Sequence, residues 1–63
     1  MDFYSLFEKD VKIETNSGSV IIGIVTDFYY DEDILESESI IIDSHDGSIV
    51  EIPFIDIDSV VIL

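Results

Sequence analysis

Isoleucine and valine make up nineteen of the 63 residues, and this excess constrains the fold more than any other feature. Side chains branched at Cβ lose rotamer freedom in helices and pack well on a pleated surface, so the composition favours strands. A chain of this length forms one domain with a small core, and we expect that domain to span residues 1–63. The absence of cysteine excludes disulfides and zinc–thiolate sites as reinforcements of that core.

The pattern along the chain predicts one short helix followed by five strands. Phe3, Leu6 and Phe7 follow helical spacing over about 2–9, with Asp2 as the cap. Because two turns are not stable alone, this helix must lay Phe3 and Phe7 on something apolar. Strict apolar–polar alternation predicts a strand at about 11–15, and β-branched stretches between turn residues predict strands at about 20–30, 39–43, 48–52 and 59–63.

Two residues interrupt the strand pattern. Gly23 lies inside the long second strand, where a glycine marks a bend or bulge. Pro53 removes a backbone donor and is expected to stop the fourth strand, with one turn of 3₁₀ helix following at 54–57. The predicted fold is mainly β: a short N-terminal helix, then a strongly bent five-stranded antiparallel sheet that closes into an SH3-like barrel and hides most strand edges.

Gly18, Gly23, Val25 and Phe28 follow the spacing Gly-x4-Gly-x-hydrophobic-x2-Phe. This spacing resembles the first motif of the Sm-like (LSm) family of small β-barrels. The element order resembles that family over 2–63, with the residue matches mostly in 11–30. The resemblance implies the same barrel, and it implies self-association in which the fourth strand of one subunit pairs with the fifth strand of the next.

The residues with which Sm-like proteins contact RNA do not carry over to this chain. Tyr29 stands where the family has an aspartate, the acidic stretch 31–38 replaces the Met-Asn loop, and 50–54 replaces the Ile-Arg-Gly motif. Fifteen acidic residues against two lysines give a formal charge of −13, which repels a phosphate backbone. Direct nucleic-acid binding is therefore not expected, even though Phe28, Tyr29 and Tyr30 are of the type that stacks on bases.

The densest charge in the chain is an acidic loop that we interpret as a site for a basic protein partner. Its members are Asp27, Asp31, Glu32, Asp33, Glu36 and Glu38. A calcium site needs six to eight oxygen ligands on a loop with a tight turn, and this loop has neither a glycine nor EF-hand spacing. We therefore predict a solvated loop and no metal.

No arrangement of residues points to catalysis or to a cofactor. His45 lies beside Asp46 in a turn, where Asp46 and Gly47 serve backbone geometry. The serines have no companion His–Asp pair, no glycine-rich phosphate loop is present, and the chain is too small to enclose an ordinary ligand pocket. We predict a protein that is not an enzyme. Short apolar runs and an N-terminus without a basic region predict no membrane span, no signal peptide and a cytoplasmic location.

The leading hypothesis is a non-catalytic, acidic protein–protein interaction module that forms a homo-oligomer. Its candidate self-association edge comprises residues of the fourth and fifth strands: Ile49, Val50, Ile52, Val60, Val61 and Ile62. The acidic surface would steer basic partners. One alternative is an acidic inhibitor that mimics nucleic acid and occupies a basic groove on a nucleic-acid-binding protein. The other is an Sm-like RNA-binding protein.

Four apolar residues have two interpretations. Phe54 and Ile55, with Phe3 and Phe7, could form an exposed binding patch, or they could plug one end of the barrel beneath the helix. The plug is favoured because so small a core needs every aromatic side chain.

Overall fold

The computed structural model describes residues 2–30 and 38–63, and within them the protein is mainly β. Two short 3₁₀ turns are present, an N-terminal turn at Phe3–Leu6 and a second turn at Phe54–Asp56. The strands β1 to β5, in chain order, are Asp10–Thr15, Val20–Tyr29, Ser39–Ser44, Ile49–Pro53 and Ile57–Ile62. All five predicted strands are confirmed, with bounds that differ by one or two residues.

The strands form one antiparallel sheet in the order β4-β3-β2-β1-β5. β2 is long enough to pair with β1 through Val20–Ile24 and with β3 through Gly23–Tyr29, so it belongs to both halves of the sheet. Within the described ranges β4 and β5 each pair with one neighbour and are the two edges of the sheet. The predicted closure of the sheet into a barrel is therefore not observed there.

A register shift in β2 between Val25 and Asp27 decides which side chains face the core. Strict alternation from the buried Val25 would turn Asp27 inward and Phe28 outward. The shift inserts one extra residue, so Asp27 is exposed and Phe28 packs half-buried against the core. A bulge of this kind re-aims the residues that follow it, and here it brings an aromatic ring to the inner face.

The core consists of one leucine from the N-terminal turn and six β-branched residues from the strands. All are at most 4% exposed: Leu6, Val11, Ile13, Val25, Ile40, Ile42 and Ile52. In β1 the predicted alternation is confirmed, since Val11 and Ile13 are buried while Lys12 and Glu14 are exposed. These seven buried hydrophobic side chains are all aliphatic, so within the described part of the chain the aromatic residues lie around the core and not inside it.

The N-terminal helix is a single 3₁₀ turn and is shorter than predicted. Asp2 caps it as expected, because its Oδ1 accepts a hydrogen bond from the Tyr4 amide at 3.0 Å. The turn cannot continue, since Glu8 has a φ of 65° and its amide donates to the Val25 carbonyl at 2.8 Å. This bond redirects the chain onto β2 and leads it into β1.

Pro53 does not stop β4 where predicted, since the strand runs through it. The amide of Ser44 donates to the Ser48 carbonyl and the amide of Phe54 donates to the Glu38 carbonyl. Hydrogen-bonded pairs alternate with non-hydrogen-bonded pairs along an antiparallel ladder. Pro53 and Ser39 form a non-hydrogen-bonded pair, so the nitrogen of Pro53 points away from β3. A proline is tolerated in an edge strand at such a position because no ladder bond is lost.

Candidate interaction surfaces

The predicted acidic loop falls largely outside the described residues. Its members Asp31, Glu32, Asp33 and Glu36 lie there. Asp27 is exposed on β2, and its carboxylate accepts a hydrogen bond from the Phe28 amide at 2.8 Å. Glu38 is half-buried immediately before β3. The role of this loop in binding a partner stays a prediction.

The six residues of the candidate self-association edge do not share one environment. Ile49 is 78% exposed on β4, and Val61 and Ile62 are exposed on β5. Val50 and Val60 are half-buried against the core. The side chain of Ile52 is a core side chain at 4% exposure, so only its backbone lies along the edge.

The backbone of β5 presents hydrogen-bonding groups on its outer side. The Leu63 amide donates to the Asp10 carbonyl at 2.9 Å, which makes this a hydrogen-bonded pair. Hydrogen-bonded pairs alternate with non-hydrogen-bonded pairs along an antiparallel ladder, so the neighbouring pair Val11↔Ile62 is not hydrogen-bonded. The amides of Ile62 and of Val60, two residues earlier, therefore point away from β1. We call the outer sides of β4 and β5 the open edges, since in residues 2–30 and 38–63 no strand pairs with them.

The same alternation applies to β4. Its outward amides belong to Ile49 and Glu51, because Ser48, Val50 and Ile52 face β3. Pro53 has no amide hydrogen to offer at this edge. Exposed rows of unpaired backbone groups are templates for another strand, and monomeric proteins usually protect them with charge, bulges or a covering segment.

All four phenylalanines and one tyrosine form a second surface, which we call the aromatic surface. Its members are Phe3, Tyr4, Phe7, Phe28 and Phe54. Ring centroids lie 4.8 Å apart for Phe3–Phe54 and for Tyr4–Phe28, 5.5 Å apart for Tyr4–Phe54 and 6.4 Å apart for Phe7–Phe28. Tyr4 and Phe7 remain 48% and 49% exposed.

The four apolar residues with two interpretations divide evenly between them. Phe3 and Phe54 pack half-buried against the core, as predicted for a plug. Phe7 and Ile55 are exposed, which is what the patch interpretation requires. Phe7 contacts an apolar side chain as expected, the ring of Phe28, but it stays exposed because the turn ends at Leu6.

The aromatic surface carries acidic groups at its border. Desolvation raises the pKa of the Tyr4 hydroxyl above its ordinary value, and the negative charges of Glu38, Tyr30 and Asp2 raise it further. Desolvation and the neighbouring negative charges both disfavour the ionised form of the Tyr4 hydroxyl. Asp2 lies directly beside Tyr4, since its Oδ1 is 3.0 Å from the Tyr4 amide nitrogen.

Titration of Tyr4 tests this description of the border. We expect its pKa, followed by NMR of the ring carbon bearing the hydroxyl, to lie above the ordinary tyrosine value and to fall in Glu38→Gln. Glu14→Gln removes the same charge from the outer face of β1 and should leave the titration unchanged. Because the folded-state pKa is raised, its contribution to stability is present below the ordinary tyrosine pKa and is lost as pH rises through the raised value. An equal response to both substitutions would contradict the description.

His45 pairs with an acidic residue distant in sequence and not with its neighbour. Its Nε2 lies 2.9 Å from Oδ1 of Asp10, and both side chains are about half exposed, at 55% and 40%. Asp46 instead accepts hydrogen bonds from the amide and the hydroxyl of Ser48, and these bonds lower the pKa of its carboxyl. This confirms the predicted geometric role of Asp46. An exposed pair of this kind contributes little to stability.

The structure also contains a cleft of about 520 Å³ between the β1–β2 turn and β4, open to solvent. It is lined by turn residues such as Asn16 and Ser17 and by the β4 residues Val50–Pro53. Across residues 2–30 and 38–63, no group of three histidine or acidic side chains has metal-ligand geometry. No described helix is long and apolar enough to cross a membrane.

No family model matches the chain, and no curated protein or solved structure matches it.

Proposed function

We propose that the protein is a non-catalytic interaction module that self-associates by pairing β4 of one copy with β5 of the next. The observation that carries this proposal is the apolar character of both open edges. Ile49 on β4 is 78% exposed, and Val61, Ile62 and Leu63 at the end of β5 are each more than half exposed. Exposed apolar edge strands promote aggregation when they are unpaired, and regular pairing between copies would satisfy their backbone groups and cover their apolar side chains.

The two edges are complementary in kind and lie at opposite ends of one sheet. Outward amides at Ile49 and Glu51 of β4, and at Val60 and Ile62 of β5, supply donors for an intermolecular ladder. A contact between two different surfaces of one chain is heterologous, so repeated copies form a closed ring when the rotation closes and an open filament when it does not. The family that the motif resembles assembles in the ring form, and we propose the same for this chain.

The net charge predicts how assembly depends on salt. Each copy carries a formal charge of −13, so copies repel one another at long range. Salt screens that repulsion while leaving apolar contacts and backbone hydrogen bonds in place. Self-association should therefore strengthen as salt rises, whereas binding to a basic partner should weaken.

A matched pair of lysine substitutions tests the edge contact. Ile62→Lys places a charge on the β5 edge, and we expect the dissociation constant of the assembly to rise about tenfold or more because edge lysines block strand pairing. Ile24→Lys makes the same chemical change on an exposed isoleucine of β2, the central strand, and should preserve the assembly. Sedimentation velocity across a concentration series measures both. Equal effects of the two variants, or an intact assembly in Ile62→Lys, would remove the proposal.

Ile62→Pro separates backbone pairing from side-chain contact. The amide of Ile62 points away from β1, so its removal leaves the β1–β5 ladder intact and deletes one donor of the proposed intermolecular ladder. We expect a folded chain by circular dichroism with weakened assembly.

A further inference from the structure

We infer that the aromatic surface docks an arginine-bearing segment of a protein partner. This inference deepens the proposed function, since it rests on the protein being an interaction module and names a partner for it. It uses a surface other than the open edges, and it does not require that copies of the chain pair.

The aromatic surface is more than packing for the core. The seven buried hydrophobic side chains are all aliphatic, so within the described part of the chain the core is filled without a single ring. Tyr4 and Phe7 both contact the ring of Phe28, and each keeps about half of its surface in solvent. Exposed rings that cluster on the surface of a small domain mark an interaction site.

The charge around the aromatic surface favours a cationic partner. Asp2 and Glu38 bring negative charge to Tyr4: Asp2 accepts a hydrogen bond from the Tyr4 amide at 3.0 Å, and the Glu38 carbonyl accepts one from the Phe54 amide at 2.9 Å. The faces of aromatic rings attract cations through their quadrupole, and carboxylates at the rim act in the same direction. With a formal charge of −13 over the whole chain, the long-range field also draws positive segments toward it.

Arginine suits this surface better than the other candidates. Its planar guanidinium stacks on an aromatic face and at the same time donates to carboxylates, whereas the lysine ammonium is a compact and strongly hydrated charge. Single-stranded RNA would also stack its bases on such rings, but its phosphates would meet the acidic border and the net negative charge of the chain. The surface therefore favours a guanidinium over a nucleotide.

Calorimetric titration with three probes tests the inference: a short polyarginine peptide, a polylysine peptide of equal length and an oligouridine. We expect polyarginine to bind more tightly than polylysine, with an affinity that falls as salt rises, and oligouridine not to bind. Tyr4→Ala should weaken polyarginine binding about fivefold, the size of one exposed cation–π contact. Tyr4→Phe keeps the ring and should retain binding.

Tyr29→Ala is the matched control. Tyr29 is 50% exposed, as Tyr4 is, but it lies next to Phe28 on β2 and so points to the opposite face of the sheet. Its removal should leave polyarginine affinity unchanged. Phe7→Ala, at a residue that contacts only the ring of Phe28 among the rings of the surface, provides a second test should Tyr4→Ala unfold.

The possible outcomes separate this inference from the self-association. Polyarginine binding that survives in Ile62→Lys, together with loss in Tyr4→Ala at unchanged assembly, would support a docking site distinct from the edges. Equal affinities for Tyr4→Ala and Tyr29→Ala, or for polyarginine and polylysine, would show diffuse charge attraction and overturn the inference. Oligouridine binding lost in Tyr4→Ala would overturn it in favour of RNA. None of these results depends on whether the unmodified chain assembles.

Discussion

Gly23→Ala is expected to lower the free energy of unfolding by about 3 kcal/mol or more. A Cβ at this position would meet the backbone carbonyl oxygen of Asp43, and it would lie 2.7 Å from Cα of Ser44. Both atoms belong to β3, which pairs with β2 at Gly23. Relief of this overlap requires the two strands to move apart where β2 passes from one half of the sheet to the other.

The other glycines supply the control for this effect. Gly18 has a φ of +88°, and nothing lies within 4 Å of the Cβ that alanine would add. Gly18→Ala therefore carries only the cost of the left-handed conformation, about 1 kcal/mol. Urea unfolding followed by circular dichroism measures both variants. A domain of this size has a total stability of about 3–9 kcal/mol, so the loss expected for Gly23→Ala is about a third of it or more. Equal costs for the two variants would contradict the close approach at Gly23.

Leu6→Ala is expected to cost about 3 kcal/mol, since it opens a cavity beneath the N-terminal turn. Leu6 is 1% exposed and belongs to the same buried cluster as Val11, Ile13 and Val25. Leu6 is the buried residue of the N-terminal turn, whereas Phe3 packs against the core half-buried. Loss of the Leu6 side chain should lower the urea midpoint. It should also weaken the hydrogen bond from the Glu8 amide to the Val25 carbonyl, so that the Glu8 amide hydrogen exchanges rapidly with solvent.

Phe7→Ala is the adjacent control for Leu6→Ala. It removes a larger side chain, but one that is 49% exposed and contacts the ring of Phe28 at 6.4 Å between centroids. We expect a cost below about 1 kcal/mol, as for a surface substitution that removes one aromatic contact. If Phe7→Ala cost as much as Leu6→Ala, the N-terminal turn would be held by its rings and not by its leucine.

Local sequence patterns predicted the strands because each pattern depends on neighbouring residues only. Strict alternation in β1 placed Val11 and Ile13 inside and Lys12 and Glu14 outside, as observed. The second 3₁₀ turn after Pro53 is also confirmed. β5 starts at Ile57, two residues before the predicted position, and this early start accompanies the register shift opposite Glu14 and Thr15. The residues of β5 alone do not indicate that shift.

The features that sequence reasoning missed depend on pairing between distant segments. The inward turn of Phe28 follows from the bulge in β2, whose position is set by the register with β3. The contact of His45 with Asp10 joins residues 35 apart in the chain. The place of Pro53 inside β4 depends on which side of the strand lies at an edge. The grouping of Phe3 with Phe54 was foreseen, but Tyr4 and Phe28 entered the aromatic surface only through this three-dimensional arrangement.

The solution mass of the unmodified chain tests the central claim most directly. Light scattering across a concentration series, at low and at moderate salt, compares the observed mass with the 7.1 kDa of one copy. Pairing of the open edges predicts a discrete multiple of that mass, whose population grows with concentration and with salt. A mass of one copy at every concentration and salt would contradict the claim, because the edges of β4 and β5 would then remain unpaired in solution.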